Sequence, residues 1–223
     1  MKETLDEIGI RHFADKSSNG HNFLRYYEKY LENLREDKIN LLEIGIARGC
    51  SLKMWYDYFS QANIFGIDCP NSEGGKQMGI TEQDMREMEN DRVKNFIVDQ
   101  GDRERLNNFK EKTPLFDVII DDGHHYQDTQ QISLGSLFSK LKPGGVYVIE
   151  DIQYYIYGEW GIEDLKNYSD STYKIIEEFN KNKKMESVFL TEEENKYLEK
   201  NILGEIKLIH DSPSDIIAFI RKK

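Results

Sequence analysis

Acidic side chains gather at the ends of two short apolar segments of the sequence. Asp122 follows the segment Phe116–Asp121, and Glu150 and Asp151 follow the apolar run 145–149. If both segments are strands of a parallel sheet, their carboxyl ends lie side by side, with about 4.8 Å between neighbouring strands. Three carboxylates at one point repel one another unless a cation lies among them, and an all-oxygen set favours a hard ion such as Mg²⁺. The sequence therefore predicts a metal site made of Asp122, Glu150 and Asp151.

Two histidines, His124 and His125, follow Asp122 closely. Imidazole titrates near neutral pH, so it suits the removal of a proton from a hydroxyl group that a metal ion has already acidified. The turn can bring His125 beside the metal without making it a ligand, and we predict Asp122 and His125 as the catalytic residues. His124 is the competing candidate. The alternative is that the acidic residues are solvated or cap helices. For Asp121, the sequence does not decide whether the side chain faces a cofactor, a helix or solvent.

A glycine-containing turn follows the first predicted strand, in the segment 43–51. Gly45 and Gly49 let a ligand approach the backbone, while the start of the next helix faces it. Asp68 ends the second predicted strand, where a carboxylate can accept hydrogen bonds from both hydroxyls of a ribose. Because Ala47 occupies the place of the central glycine in G-x-G-x-x-G, a dinucleotide is disfavoured and a nucleoside without pyrophosphate is predicted. The alternative is a turn that is merely tightly packed.

Short apolar runs alternate with helical or polar stretches along the chain, which predicts a parallel sheet with helices packed against it. The link 211–214 between the last two runs is too short for a crossover helix, so these runs should form an antiparallel hairpin. We predict an α/β, Rossmann-like fold with a mostly parallel seven-stranded sheet and a C-terminal antiparallel hairpin. The predicted strands are 40–45, 63–68, 95–99, 116–121, 145–150, 205–210 and 215–220.

Helical patterns flank these strands. We predict a helical cap over residues 1–38, followed by a cofactor-binding domain over 39–223 with a lid or helical insertion at about 153–201. A capping box at Thr191 predicts a helix start within that insertion. Aromatic side chains at the start of the insertion could stack on the apolar face of a sugar or could be ordinary lid packing; they are Tyr154, Tyr155, Tyr157 and Trp160.

The composition limits the partners of the protein. The 223 residues include 30 Lys and Arg against 41 Asp and Glu, and the formal net charge of −11 opposes binding to nucleic acids or anionic lipids. A charged N-terminal stretch and short apolar runs predict neither a secretory signal nor a membrane span. Cys50 and Cys69 lack metal-binding or disulfide-framework spacing, so we expect a reducing, cytoplasmic environment.

Two motifs resemble a known enzyme family. The pattern E-x-G-x-x-x-G at 43–49, Asp68 and the terminal hairpin resemble the class I S-adenosylmethionine-dependent methyltransferases. The string Asp-Asp-Gly-His-His at 121–125, together with the segments 41–59 and 137–151, resembles the metal-dependent sugar O-methyltransferases of macrolide biosynthesis, of the mycinamicin type.

This resemblance implies S-adenosylmethionine and Mg²⁺ as cofactors. It implies that Asp122, Glu150 and Asp151 bind the metal and that His125 is the general base. The cofactor contacts that it implies or supports are Glu43, Gly45, Ala47, Gly49, Ser51, Asp68, Asp99, Gln100 and Asp121. The candidate substrate contacts are His124, Tyr154, Tyr155 and Trp160.

The predicted function is therefore O-methylation of a hydroxyl group on a sugar or glycosylated small molecule, in natural-product or surface-glycan biosynthesis. The protein has to align the hydroxyl with the methyl group of the cofactor and to remove its proton. A catechol-type O-methyltransferase would use the same chelation, and a non-catalytic nucleoside-binding protein could keep the same fold. Assembly into a homo-oligomer stays open.

Overall fold

The computed structural model describes residues 2–72, 75–76, 79–152, 154–155, 158–159, 168–212 and 215–223. The chain divides into two compact units, Met1–Ile97 and Val98–Lys223. The helices are α1 (Leu5–Arg11), α2 (Leu24–Leu31), α3 (Cys50–Tyr58), α4 (Glu82–Glu87), α5 (Arg103–Lys112), α6 (Gln127–Leu137), α7 (Thr172–Asn182) and α8 (Glu192–Asn201). The strands are β1 (Asn40–Ile44), β2 (Asn63–Asp68), β3 (Val93–Ile97), β4 (Phe116–Asp121), β5 (Leu141–Ile149), β6 (Tyr154–Tyr155), β7 (Gly158–Glu159), β8 (Lys207–Ser212) and β9 (Asp215–Arg221).

Seven of these strands form a mostly parallel sheet with antiparallel C-terminal strands, so the predicted fold class is confirmed. In the first unit, β2 pairs in parallel with both β1 and β3. In the second unit, β4 pairs in parallel with β5, whereas β9 runs antiparallel to both β5 and β8. The predicted hairpin is therefore present, and residues 213–214 between its strands lie outside the described residues.

The helix predicted between the first two strands is α3. Its apolar face is buried, since Leu52, Trp55 and Phe59 are each at most 2% exposed. The helix follows Gly49, whose φ of 72° lies in the left-handed region that glycine adopts without strain. The buried face of α3 thereby holds the end of the glycine-containing turn in a defined position.

Residues 1–38, the predicted helical cap, contain two α-helices. Helix α2 carries the expected apolar face, with Phe23, Tyr27 and Leu31 fully buried. Helix α1 begins at a capping box in which Oγ1 of Thr4 accepts a hydrogen bond from the backbone of Glu7 at 3.2 Å. This short helix has few apolar residues, so the periodicity of the sequence did not indicate it.

Strand β5 begins earlier than predicted, at Leu141, and so includes residues 142–144, which precede the predicted strand 145–150. Its register with β4 shifts between Phe116 and Val118, because extra residues of β5 bulge out of the ladder. Gly144, with a φ of 80°, permits the bulge. The proline and glycines of this segment therefore interrupt the pairing without ending the strand.

Strands β3 and β8 are shifted from the predicted ranges 95–99 and 205–210. After β3, the carboxylate of Asp99 accepts a backbone hydrogen bond at 2.8 Å and starts a turn. Before β8, the side-chain amide of Asn180 bonds to both backbone polar groups of Ile206, at 2.9 Å each. Side-chain hydrogen bonds replace the ladder at both places, from a nearby residue at Asp99 and from a distant one at Asn180, and hydrophobic patterns do not reveal them.

The predicted insertion at 153–201 contains β6, β7, α7 and α8. The capping box at the start of α8 is confirmed, with the backbone of Glu194 donating to Oγ1 of Thr191 at 3.1 Å. Arg103 donates to the carboxylate of Glu194 at 3.0 Å and so ties α5 to α8. In the part of the chain that the structure describes, every helix is too short or too polar to cross a membrane.

Candidate active site

Asp122, His125 and Asp151 form a cluster beyond the carboxyl ends of β4 and β5. Each residue offers one metal-ligating atom, and these atoms lie within 4.8 Å of one another. Nε2 of His125 is 3.8 Å from Oδ2 of Asp151. Parallel pairing continues past the strands, because the backbone N–H of Glu150 donates to the carbonyl of Asp121 at 2.9 Å. The segments after β4 and β5 therefore start at the same edge of the sheet, as predicted.

Glu150, the third predicted metal ligand, is not a member of this cluster within the described residues. Its side chain is buried, and it precedes Asp151, whose φ of 51° lies in the left-handed region. Neighbouring residues of an extended chain point to opposite sides, and a left-handed residue turns the chain sharply. His125 rather than Glu150 accompanies Asp122 and Asp151, and ligation by Glu150 stays a prediction.

Asp121, a predicted cofactor contact, is buried in the second unit with its carboxylate held by polar side chains. Ser133 donates to it, Nε2 of Gln100 donates at 3.1 Å and the hydroxyl of Tyr147 donates at 3.4 Å. Burial raises the pKa of Asp121 to about 6, although the hydrogen bond from Ser133 opposes the shift. Asp121 thus anchors the segment that carries Asp122 and His125. Its contact with a cofactor stays a prediction.

Gln100 connects Asp121 to the histidine segment. Its Nε2 donates to Asp121, and its Oε1 accepts a hydrogen bond from the backbone of His124 at 2.5 Å. The rings of His124 and Tyr126 lie with their centroids 3.7 Å apart, and both residues line a cavity of about 710 Å³. Asp99 lines the same cavity. A predicted cofactor contact, Asp99, and a predicted substrate contact, His124, therefore share one cavity within the second unit.

In the first unit, two predicted cofactor contacts bond to each other. Oε2 of Glu43 accepts a hydrogen bond from Ser51 at 2.8 Å, and Oε1 accepts one from the indole of Trp55 at 3.2 Å. The ammonium of Lys16 lies 4.0 Å from Oε1 of Glu43, and both side chains are almost completely buried. A buried carboxylate needs such partners. Glu43 and Ser51 thus stabilise the turn from inside, and their contact with a cofactor stays a prediction.

The glycine-containing turn of the first unit is held by Asp68. Oδ2 of Asp68 accepts hydrogen bonds from the backbone N–H groups of Ile46 and Ala47, both at 3.0 Å. Gly45, Ala47 and Gly49 have φ values of 81°, 41° and 72°, so the turn departs repeatedly from the conformations that side chains favour. Asp68 therefore shapes the turn, while its predicted contact with ribose hydroxyls stays a prediction.

The predicted aromatic substrate contacts lie in the insertion. Tyr157 and Trp160 are outside the described residues. Tyr154 and Tyr155 form β6, which pairs with β7. Stacking of these side chains on a sugar stays a prediction.

Helix α6 supplies buried glutamines that the sequence patterns did not single out. Nε2 of Gln130 donates to the carbonyl of Glu150, and Nε2 of Gln127 donates to the carbonyl of Ile152, both at 3.0 Å. Gln131 is equally buried on the same helix. Three glutamines at i, i+3 and i+4 share one helix face, and buried amides need partners. That spacing is the signal from which their role could have been inferred.

The fold and these site features together define a class of protein. A turn of left-handed residues follows β1, an acidic residue at the end of β2 holds that turn, and the sheet ends in antiparallel strands. These are features of the class I methyltransferase fold, and the chain has this fold. No family model matches the chain.

Curated proteins that are similar to this chain are named O-methyltransferases. The chain is 34% identical over 155 residues to the 8-demethyl-8-(2-methoxy-alpha-L-rhamnosyl)-tetracenomycin-C 3'-O-methyltransferase of Streptomyces olivaceus, a match that covers 66% of this chain and 36% of the relative. It is 30% identical over 158 residues to the mycinamicin VI 2''-O-methyltransferase of Micromonospora griseorubida, covering 68% of this chain and 36% of the relative.

A solved structure shows the same fold. The MycE methyltransferase of the mycinamycin biosynthetic pathway, in complex with Mg and SAH, aligns with a TM-score of 0.78 and 26% identity over 100% of this chain. The alignment covers 55% of the MycE chain. The chain thus spans about half of that structure, and about a third of the length of the curated relatives that it matches.

Proposed function

We propose that the protein is an S-adenosylmethionine- and Mg²⁺-dependent O-methyltransferase that acts on a hydroxyl group of a sugar or glycosylated small molecule. The observation that carries this proposal is the cluster of Asp122, His125 and Asp151 at the ends of two parallel strands. Two relatives methylate sugars of tetracenomycin and mycinamicin compounds, and the MycE structures contain Mg and SAH.

The donor atoms of the cluster fit a hard divalent cation. Asp122 and Asp151 offer carboxylate oxygens, and Mg²⁺ in proteins is commonly bound by one or two carboxylates, with water and substrate oxygens completing its shell. When bound, Mg²⁺ supplies positive charge that favours the ionised form of a nearby hydroxyl group. The two aspartates would hold the ion, and Glu150 is a third proposed ligand.

His125 would accept the proton of the substrate hydroxyl. Its side chain is 27% exposed, so it is open to a substrate while remaining next to Asp151. The methyl sulfonium of the cofactor is an alkylating agent, so the side chains need only align the oxygen and remove its proton. His125 and the residues that orient it are then the main contribution of the protein to the chemical step.

The proposed cofactor contacts fall into two sets. The turn at 45–49 and Asp68 would bind the ribose portion of the cofactor. Asp99 and Gln100 are the proposed contacts of its adenosine portion. The preformed shape of the turn, held by Asp68 at 3.0 Å from two backbone N–H groups, supports the first of these roles.

Calorimetric titration tests the cofactor part of the proposal. The protein is treated with EDTA and titrated with S-adenosylhomocysteine, with and without Mg²⁺. We expect binding in both conditions. Asp68→Ala should weaken that binding, whereas Asp117→Ala, on β4, should not. Absence of binding by the wild-type protein in both conditions would remove the methyltransferase proposal.

A substrate panel tests the acceptor class. Glycosides with two neighbouring hydroxyl groups and catechols are each incubated with the methyl donor and Mg²⁺, and products are identified by mass spectrometry. We expect methylation of a glycoside. Methylation of catechols alone would show that the acceptor is a phenol and not a sugar. The net charge of −11 supports the further proposal that the protein has no nucleic-acid or anionic-membrane partner. The free thiols of Cys50 and Cys69 support the proposal of a cytoplasmic location.

A further inference from the structure

Asp151 adopts a backbone conformation that few side chains tolerate. Its φ is 51°, in the left-handed region, and the residue is 5% exposed. Residues other than glycine enter this region rarely, and strained backbone of this kind persists only where the surroundings enforce it. The contacts that enforce it therefore decide where the carboxylate of Asp151 points.

The peptide groups on both sides of Asp151 are held by hydrogen bonds. The N–H of Glu150 donates to the carbonyl of Asp121 at 2.9 Å, and the N–H of Ile152 donates to the carbonyl of Ile216 at 3.1 Å. These two bonds continue the pairing of the sheet. The carbonyls of Glu150 and Ile152 face helix α6. Because buried backbone carbonyls need hydrogen-bond donors, side chains of this helix have to supply them.

Two glutamines of α6 supply these donors. Nε2 of Gln130 donates to the carbonyl of Glu150, and Nε2 of Gln127 donates to the carbonyl of Ile152, at 3.0 Å in each case. The two glutamines are i and i+3 on the helix, so both reach the same side. Both are at most 2% exposed, which keeps water from competing for these carbonyls. The two glutamines therefore bind the backbone on both sides of Asp151 from the same helix, α6.

The role of Gln130 is easier to isolate than that of Gln127, which makes a further hydrogen bond to another helix. Its Oε1 is buried and makes no hydrogen bond within the described part of the structure, so its amide serves as a donor to Glu150. Burying an amide oxygen without a partner is unfavourable. Gln127, by contrast, also accepts a hydrogen bond from the backbone of Thr172 at 2.6 Å and so contributes to the attachment of α7.

We propose that Gln130, assisted by Gln127, is a positioning residue for the metal site. Its hydrogen bond to the carbonyl before Asp151 holds the left-handed turn and thereby directs the Asp151 carboxylate toward Asp122 and His125. This inference rests on the proposed metal-dependent function. Groups that orient metal ligands in this manner typically change metal affinity by 10- to 100-fold when they are removed.

The test compares two substitutions on the same helix. Gln130→Met removes the donor to Glu150 at nearly constant volume. Gln131→Met is the matched control, because Gln131 is equally buried but donates to the carbonyl of Asp170 at 2.8 Å, away from the cluster. EDTA-treated wild-type and variant proteins are titrated with Mg²⁺ by calorimetry. S-adenosylhomocysteine affinity without Mg²⁺ and the melting temperature are measured in parallel.

We expect Gln130→Met to weaken Mg²⁺ binding about 10-fold or more and Gln131→Met to change it less than about threefold. S-adenosylhomocysteine affinity should be unchanged in both variants, even if both melt at lower temperature. If Gln130→Met does not fold, Gln127→Met takes its place with the same expected loss of Mg²⁺ affinity.

Three results would overturn the inference. Wild-type Mg²⁺ affinity in Gln130→Met would show that the hydrogen bond does not position Asp151. Equal losses in Gln130→Met and Gln131→Met would show a general effect of destabilising α6. Absence of Mg²⁺ binding by the wild-type protein would overturn the proposed metal-dependent function and this inference with it, whereas the first two results leave the proposed function intact.

Discussion

Nε2 of His125 lies 3.8 Å from Oδ2 of Asp151, although the two residues belong to segments that follow different strands. This contact places a group that can accept a proton next to a group that can bind a metal ion. The parallel pairing of β4 with β5 produces it, since both segments leave the sheet at the same edge.

His125→Ala should lower turnover by about 10²- to 10⁴-fold, because the proton of the substrate hydroxyl loses its acceptor. Affinities for S-adenosylhomocysteine and Mg²⁺ should change little. The measurement combines steady-state kinetics with calorimetry. Equal losses of turnover and of cofactor affinity would contradict a role as base.

His124→Ala is compared with His125→Ala to decide which histidine is the base. The ring of His124 contacts the tilted ring of Tyr126 and lines the cavity in the second unit, so its loss should affect substrate or cofactor affinity more than the chemical step. A larger loss of turnover in His124→Ala than in His125→Ala would reassign the base to His124.

Removal of the metal should abolish turnover, and added Mg²⁺ should restore it. Asp122→Asn should weaken Mg²⁺ binding by about 10- to 100-fold or more, since an ionised ligand is replaced by a neutral one. Asp117→Asn, on the strand β4 that precedes Asp122, is the matched control, because the carboxylate of Asp117 is already paired with Lys142 at 2.8 Å. Full turnover in EDTA would exclude the metal from the reaction.

Asp121 should make the stability of the metal-free protein depend on pH. Burial raises its pKa from the ordinary 3.8 to about 6, so in this interval the unfolded chain releases the proton more readily than the folded one. Stability should therefore fall as the pH rises from about 4 to about 6, by at most about 3 kcal/mol from this group.

Asp121→Asn should remove that part of the pH dependence, because the asparagine side chain does not ionise. Denaturant unfolding in EDTA, at several pH values between about 4 and about 7, gives the difference in free energy of unfolding between wild type and variant. The difference should change across this interval and level off only as the pH approaches about 7, once Asp121 is ionised in the folded protein as well. A difference that is constant with pH would contradict the raised pKa.

Gly49→Ala should weaken S-adenosylhomocysteine binding. At a φ of 72° an added Cβ costs roughly 1–2 kcal/mol, and it would come within 2.6 Å of Sδ of Met88, which then has to move. Gly204→Ala is the control, since Gly204 has a φ of 71° and open space around the added Cβ. Both variants should lose similar stability in thermal unfolding, and only Gly49→Ala should lose affinity. Equal affinities in the two variants would argue against a cofactor contact at the turn.

Most of the sheet could be predicted from the sequence, because buried parallel strands are short apolar runs between polar stretches. The starts of β5 and β8 could not. At β5, the glycines and the proline lie in a bulge within the strand, and before β8 the amide of Asn180 bonds to the backbone of Ile206 in place of a neighbouring strand. Both outcomes depend on contacts between residues far apart in the sequence.

The cluster of Asp122, His125 and Asp151 was predictable in its position and only partly in its members. Acidic residues after β4 and β5 indicated the edge of the sheet where it lies. The direction of each side chain depends on the backbone, and the left-handed turn at Asp151 brings His125 into the cluster without Glu150. The role of Gln130 could not be predicted, because its partner is a backbone carbonyl that a sequence does not mark.

The most direct test of the proposed function is transfer of a labelled methyl group from S-adenosylmethionine to glycosides with neighbouring hydroxyl groups. The purified protein is assayed with Mg²⁺, with EDTA and with Mg²⁺ restored, alongside His125→Ala. We predict labelled, O-methylated glycoside in the Mg²⁺ reactions of the wild-type protein and almost none in the others. Labelling that is unaffected by EDTA and by His125→Ala, or no labelling of any glycoside under any condition, would contradict a metal-dependent sugar O-methyltransferase.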